Sequence, residues 1–231
     1  MSEYHPCQPR HRFVVPTPSL TSSHLNPDAR RNLCELTKLI DLHFEYRSRI
    51  LVIRIDLRYI KEVAAHIPQH VAHGHLEQLL GDRRMHPSVF DHLLGYAWGL
   101  EWGEQEGGIH YHLLLLYDGA YRRDDIGIGL TVRDLWNQIT GELGECYISN
   151  FDKEKFAQQG RLGIGMIHRT DVTKRINLID HVAAYITKRS SNFVIEAAEG
   201  SSRDFRLFGK SRMPKPIDPN VPRRGRRPLL R

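Results

Sequence analysis

Residues 101–116 read Glu101-Trp102-Gly103-Glu104-Gln105-Glu106-Gly107-Gly108-Ile109-His110-Tyr111-His112-Leu113-Leu114-Leu115-Leu116, and few folds accommodate them. Four successive leucines demand burial. Gly107 and Gly108 just ahead of them supply the positive φ of a tight turn, so the segment reads as two antiparallel strands joined at Glu106-Gly107-Gly108. Alternation along the second strand sets His110 and His112 on one face, Ile109 and Tyr111 on the other. A two-residue turn at Glu106-Gly107 pairs residue 112 with residue 101 and places Glu101 across from His112. Two imidazoles and a carboxylate on a rigid sheet make a three-ligand site for a divalent metal, with positions left open; Glu104 is the alternative acid.

Fourteen histidines in 231 residues give about one His-x-His by chance, and the chain has a second at His73-Gly74-His75. Context separates the two. Only the first pair follows a glycine turn, precedes an aliphatic run and faces a strand carrying an acid; the second is expected at the surface.

A chain of this length, 40% apolar, buries a full core and is most simply one domain, over residues 27–212, with appendages. No apolar run suffices to span a bilayer and residues 1–12 lack a signal-peptide core, so a soluble, cytoplasmic protein with no membrane partner is expected. Cys7, Cys34 and Cys146 are odd in number and widely spaced, which fits reduced thiols and argues against a structural zinc module. From Lys210 onward eight basic residues face the single acid Asp218, a local net of +7 against +6 for the whole chain. With five prolines in the same stretch, residues 213–231 read as a disordered basic arm suited to a phosphate backbone, or as a tail that only aids solubility.

Residues 1–26, rich in Pro, Ser, Thr and His, read as flexible. Asn26-Pro27-Asp28 opens a helix over 28–46 with Leu33, Leu36, Ile40 and Phe44 inward. Residues 49–59 form a strand with Leu51, Ile53, Ile55 and Leu57 on one face and Val52, Arg54 and Asp56 on the other, the first face packing helices and the second a working surface. Arg54 either pairs with Asp56 or contacts phosphate. Residues 59–80 read as helical, with His66, His70, His73 and His75 on a solvated face, and 87–95 as a short helix. Gly127 to Gly129 turns the chain into a helix over 131–140 capped by Thr131, with Trp136 in the core. Short strands are expected over 147–151 and 163–171, the latter with Ile164, Met166 and His168 on one face. The sum is an α+β domain with a central, mainly antiparallel β-sheet and flanking helices.

In residues 177–189, Leu178, Val182, Tyr185, Ile186 and Arg189 share one helical face. His181, Tyr185 and Lys188 form a stripe beside it, bringing an imidazole, a phenol and a cation together. A tyrosine in such a helix is more often core or rim than catalytic.

Taken together, an acid, His-hydrophobe-His and a downstream helical Tyr-x-x-Lys resemble the HUH endonucleases. Residues 49–59 resemble their first motif strand, Gly108-Ile109-His110-Tyr111-His112-Leu113-Leu114-Leu115 their metal motif, and Ala184-Tyr185-Ile186-Thr187-Lys188 their nucleophile motif. Within that superfamily, Glu101-Trp102-Gly103-Glu104 and Arg206-Leu207-Phe208-Gly209-Lys210-Ser211-Arg212 are similar to the inovirus and prophage replication initiators of the YagK/YfjJ C-terminal type. The resemblance spans about residues 30–212. It implies a Rep-like, ferredoxin-related fold and nicking of single-stranded DNA at an origin for rolling-circle replication. Glu101, His110 and His112 would hold Mg²⁺ or Mn²⁺, Tyr185 would attack to leave a 5′-phosphotyrosyl link and a free 3′-hydroxyl, and Lys188 would assist its ionisation. Arg54, Arg189, Arg206, Lys210 and Arg212 are the candidate DNA contacts. No Gly-x-x-x-x-Gly-Lys-Ser/Thr motif occurs, so a host helicase and replication proteins are expected partners. A relaxase or transposase on the same fold, a catalytically inactive DNA-binding regulator and an unrelated metal-dependent hydrolase are the alternatives.

Overall fold

The computed structural model describes residues 26–81, 84–102, 108–188 and 206–215. Arg189, Glu104, Cys7, nearly all of the N-terminal segment and most of the basic tail lie outside them.

The expected first helix is α1 (Pro27–Tyr46), and the Asn26 side chain caps it by accepting from Ala29 N at 2.9 Å. β1 (Arg49–Tyr59) follows with the expected bounds. The helix expected over 59–80 divides into α2 (Lys61–Ala64) and α3 (Gln69–Gly81), because Pro68 lacks the N–H that would continue it. Next come α4 (Pro87–Phe90), β2 (Leu93–Trp102) and β3 (Ile109–Asp118). α5 (Asp125–Ile139) begins six residues before the predicted start: Asp124, not Thr131, caps it, accepting from Gly127 N at 2.8 Å. Gly127 and Gly129 therefore lie inside the helix, where a Cβ on Gly129 would sit 2.8 Å from the Ile148 side chain. β4 (Gly144–Ile148) ends sooner than expected, since the chain turns into a 3₁₀ turn at Ser149–Asp152 before α6 (Lys153–Gln158).

β5 (Gly165–His168) and α7 (Val172–Asn177) follow. Ile164 and Met166 do not share a face as expected: Gly165, at φ +79°, reverses the alternation. Ile164 and Ile167 enter one core, Met166 packs on the other and His168 is exposed. A π-helical segment (Leu178–Ala183) leads into α8 (Ala184–Thr187), and β6 (Phe208–Lys210) is the last strand.

The sheet runs β4-β1-β3-β2-β6 with every pairing antiparallel, and β5 joins the same edge of β1 as β4. β5 takes residues 49–52 of β1 and β4 takes 55–59, which leaves the backbone at Arg54 without a strand partner on that edge. Asn150 fills the gap. Its side chain donates to Val52 O at 3.0 Å and accepts from Arg54 N at 3.1 Å, and the same amide donates to Asp125 at 2.8 Å. Leaving those buried groups unpaired would cost about 1–3 kcal/mol each.

Leu51, Ile53, Ile55, Leu57, Tyr111, Leu113 and Leu115 form the core under α3 and α5, with Trp136 wholly buried. The opposite face is not open along its length as expected: Ile50, Val52, Leu114 and Leu116 lie beneath α1 and the 178–187 helix. Among the described residues, the end of that face carrying Arg54, Asp56, His110 and His112 lies outside this aliphatic cluster. The pair His73 and His75 is half-buried, not at the surface: His75 Nδ1 lies 2.9 Å from the Tyr59 hydroxyl and His73 meets Trp98 at 5.7 Å, whereas His66 and His70 are exposed as expected. Cys34 and Cys146 are free thiols, and burial pushes Cys146 up to about 12.

His43, on α1, is buried, its Nε2 has no partner among the described residues, and burial, with Arg47 adding to it, lowers it to about 4. Its folded value lies below the unfolded one, so its contribution is complete above pH ~6.5 and is lost as pH falls toward 4. Urea unfolding should show stability falling by about 3 kcal/mol across that window, and His43→Leu should flatten the slope. An unchanged slope in His43→Leu would remove His43 as its cause.

Candidate active site

The hairpin holds the cluster, though in a different register from the expected one. Glu101 pairs with His110, and His112 pairs with Gly99, so the connection spans residues 103–108 instead of two residues. The shift is by two positions, so Glu101 keeps its face. Glu101 Oε2 lies 2.6 Å from His112 Nε2 and 3.6 Å from His110 Nε2, and the two imidazoles stand edge to face with centroids 4.8 Å apart. The nearby His110 imidazole and the hydrogen bond with His112 hold the Glu101 carboxyl far below the usual carboxylate range.

The three ligand atoms lie within 4.8 Å of one another, somewhat wider than the ~3–4 Å that bonds of ~2.1 Å to one ion would impose. The donors fit. Two neutral imidazoles and an ionised carboxylate suit a divalent first-row ion or Mg²⁺.

Asp56 completes the site and was not among the candidate ligands. It sits opposite His112 in the β1–β3 ladder, and its Oδ1 is 2.8 Å from His112 Nδ1. With Nδ1–H donating to Asp56, the Nε2 lone pair would serve a metal ion in place of its present contact with Glu101. Burial opposes ionisation of Asp56, but the His112 hydrogen bond and Arg54 outweigh it and hold the carboxyl low. For His112, burial likewise opposes the charge, and hydrogen bonds to Asp56 and Glu101 raise its pKa overall. The readable signal was the spacing of Arg54 and Asp56 on one face of β1. Asp56→Ala should weaken Mn²⁺ binding by about 10–100-fold and Asp56→Asn by less, as read by calorimetric titration. Wild-type affinity in both variants would leave Asp56 only as the partner of Arg54.

Tyr185 reaches the cluster from α8. The π-helical turn takes residues 178–183 off the 3.6-residue period, so Leu178, Ile179, Val182, Ala183 and Ile186 are buried while Tyr185 is 38% exposed, not on the buried face. Its ring meets that of His112 at 4.6 Å, and the Arg54 guanidinium lies 4.2 Å from its centroid on the way to Asp56 at 3.3 Å. Arg54 thus pairs with Asp56 and borders the site as well. Burial, with Asp56 adding to it and Arg54 opposing, raises the Tyr185 phenol above its ordinary value. The expected stripe of His181, Tyr185 and Lys188 is broken, because α8 ends at Thr187 and Lys188 is extended at φ −60°, ψ 123°. Lys188 and His181 instead join Tyr185 and Arg54 around a cavity of about 410 Å³.

Of the other candidate DNA contacts, Lys210 lies on β6 with its ammonium 3.8 Å from Glu35, and Arg206 and Arg212 are exposed on either side of that strand.

Fold and site together define an α+β domain whose sheet presents a Glu-His-His cluster fit for a divalent metal. A sequence model of the YagK/YfjJ C-terminal domain family matches residues 21–145, just over half of the chain, and the chain belongs to that family. The match includes Asp56, Glu101, His110 and His112 and ends before Tyr185. No curated protein and no solved structure matches the chain. No helix among the described residues is long and apolar enough to cross a membrane.

Proposed function

We propose that the protein is a metal-dependent nicking and joining enzyme of the HUH type, acting on single-stranded DNA at a replication origin. The observation that carries this reading is the 4.6 Å packing of Tyr185 on His112, the central member of the metal cluster, with Arg54 beside the same ring. A hydrolase that used the metal alone would have no use for a phenol there.

Glu101, His110 and His112 would hold Mg²⁺ or Mn²⁺, and the ion would supply Lewis acidity toward a phosphate oxygen. Arg54, beside the Tyr185 ring and on the cavity wall, binds a second oxygen of the same phosphate. Tyr185 attacks: its oxygen bonds phosphorus, the bond to the 3′-oxygen breaks, and the phenolic proton finally resides on the freed 3′-hydroxyl. Burial raises the phenol above its ordinary value and so favours the neutral form at rest, which makes a proton acceptor necessary. Lys188, on the cavity wall beside Tyr185, assists that transfer. The 5′-phosphotyrosyl link keeps the phosphodiester energy, so the same residues reseal the strand by the reverse step. The 3′-hydroxyl primes synthesis, with helicase and replication proteins supplied by a host cytoplasm.

The test is a denaturing gel of the purified protein with circular single-stranded DNA carrying its origin. A protein–DNA adduct that forms with Mn²⁺ or Mg²⁺ and not with EDTA is the expected result. Binding without cleavage in either metal would replace the enzyme with a DNA-binding regulator.

A further inference from the structure

The cavity beside Tyr185 has features that the nicking step leaves unused. Arg161 adds a basic group to the rim beside Arg54 and Lys188, with Asp180 the one acid among the lining residues, and Phe156, Ile164 and Val182 give it apolar walls. Ser149 also lines it, wholly buried, and its hydroxyl has no hydrogen-bond partner among the described residues. A buried hydroxyl without a partner costs stability and calls for one. Ser149 is set inward by the 3₁₀ turn that also places Asn150 on β1, so the backbone that orders Arg54 orders this hydroxyl too.

We propose that this cavity receives one unpaired nucleotide of the DNA strand, the one adjoining the phosphate that Tyr185 attacks. The inference rests on the nicking reading for its place along the strand, but not for the binding itself. The base enters the apolar part, with Phe156 as its stacking partner and Ser149 Oγ bonded to its polar edge. Its phosphate meets Arg161 and Lys188 at the rim. The volume of about 410 Å³ suits one nucleotide, and a paired base could not leave its duplex to enter without the cost of unstacking. Single-stranded substrate therefore follows from the pocket as well as from the chemistry.

The experiment uses the full chain in EDTA, with each of the four deoxynucleoside 5′-monophosphates added in turn and inorganic phosphate in parallel. Methyl resonances of Ile164 and Val182 report on the walls. Saturable shifts with at least one nucleotide, not reproduced by phosphate at equal concentration, are expected. Phe156→Ala should weaken that binding about tenfold, in line with loss of one stacked base. Ser149→Ala should weaken it several-fold while leaving the melting temperature unchanged or higher, because an unpaired hydroxyl stabilises nothing in the free protein. No shift with any nucleotide, equal shifts with phosphate alone, or full affinity in both variants would overturn the proposal. Because metal and Tyr185 chemistry are silent in EDTA, failure of the nicking reading leaves this result readable on its own.

Discussion

Tyr185→Phe should abolish the covalent adduct, lowering its rate of formation on the order of 10³-fold or more, while Mn²⁺ affinity stays at the wild-type level. The substitution removes one oxygen and nothing else. The ring keeps its contact with His112 at 4.6 Å and its place under Arg54, so neither the cluster nor the helix has reason to move. With Tyr185 38% exposed, loss of the hydroxyl should leave stability within about 0.5 kcal/mol of wild type. Gel quantification of the adduct beside calorimetric Mn²⁺ titration separates the two effects. A variant that still cuts DNA in Mn²⁺ without forming an adduct would mean that water is the nucleophile, and the chain would then be a metal-dependent hydrolase.

What was legible in the sequence was whatever a local period could encode. The β1 alternation gave the strand bounds and both its faces, and the leucine run after His112 gave the buried partner strand. The Glu-His-His set was readable for the same reason, since a register error of two residues leaves every side chain on its own face. Side-chain capture of the backbone was less visible. Asp124 taking Gly127 N moved the start of α5, and Asn150 replaced a strand across a gap that no alternation announces. Least legible was the approach to Tyr185. An ordinary helical period over residues 177–189 does not hold, because Leu178–Ala183 is π-helical, Tyr185 stands at the rim and the helix ends before Lys188. Asp56 was missed as a site residue because its role depends on cross-strand pairing with His112, 56 residues away.

Gly99→Ala should cut adduct formation by about 100-fold and leave Mn²⁺ affinity within about twofold of wild type. Gly99 faces His112 across the β2–β3 ladder, and the backbone of α8 lies directly on it. A Cβ there would stand 2.0 Å from the Ile186 carbonyl oxygen, and atoms in real structures essentially never approach within 3.0 Å of a Cβ. Backbone, not a flexible side chain, is what must yield. α8 has four residues and follows a π-helical turn, whereas β2 and β3 are fixed by a long antiparallel ladder, so the helix moves away from the sheet. Tyr185 precedes Ile186, and a shift of roughly 1 Å suffices to spoil in-line attack. The metal ligands stay behind on the strands. Overpacking at this contact should also cost about 1–3 kcal/mol, so the assay belongs at a temperature where the variant remains folded by circular dichroism. Wild-type nicking by folded Gly99→Ala would mean that contact between this helix and the sheet does not position the nucleophile. Equal losses in nicking and in Mn²⁺ affinity would place the damage in the strands.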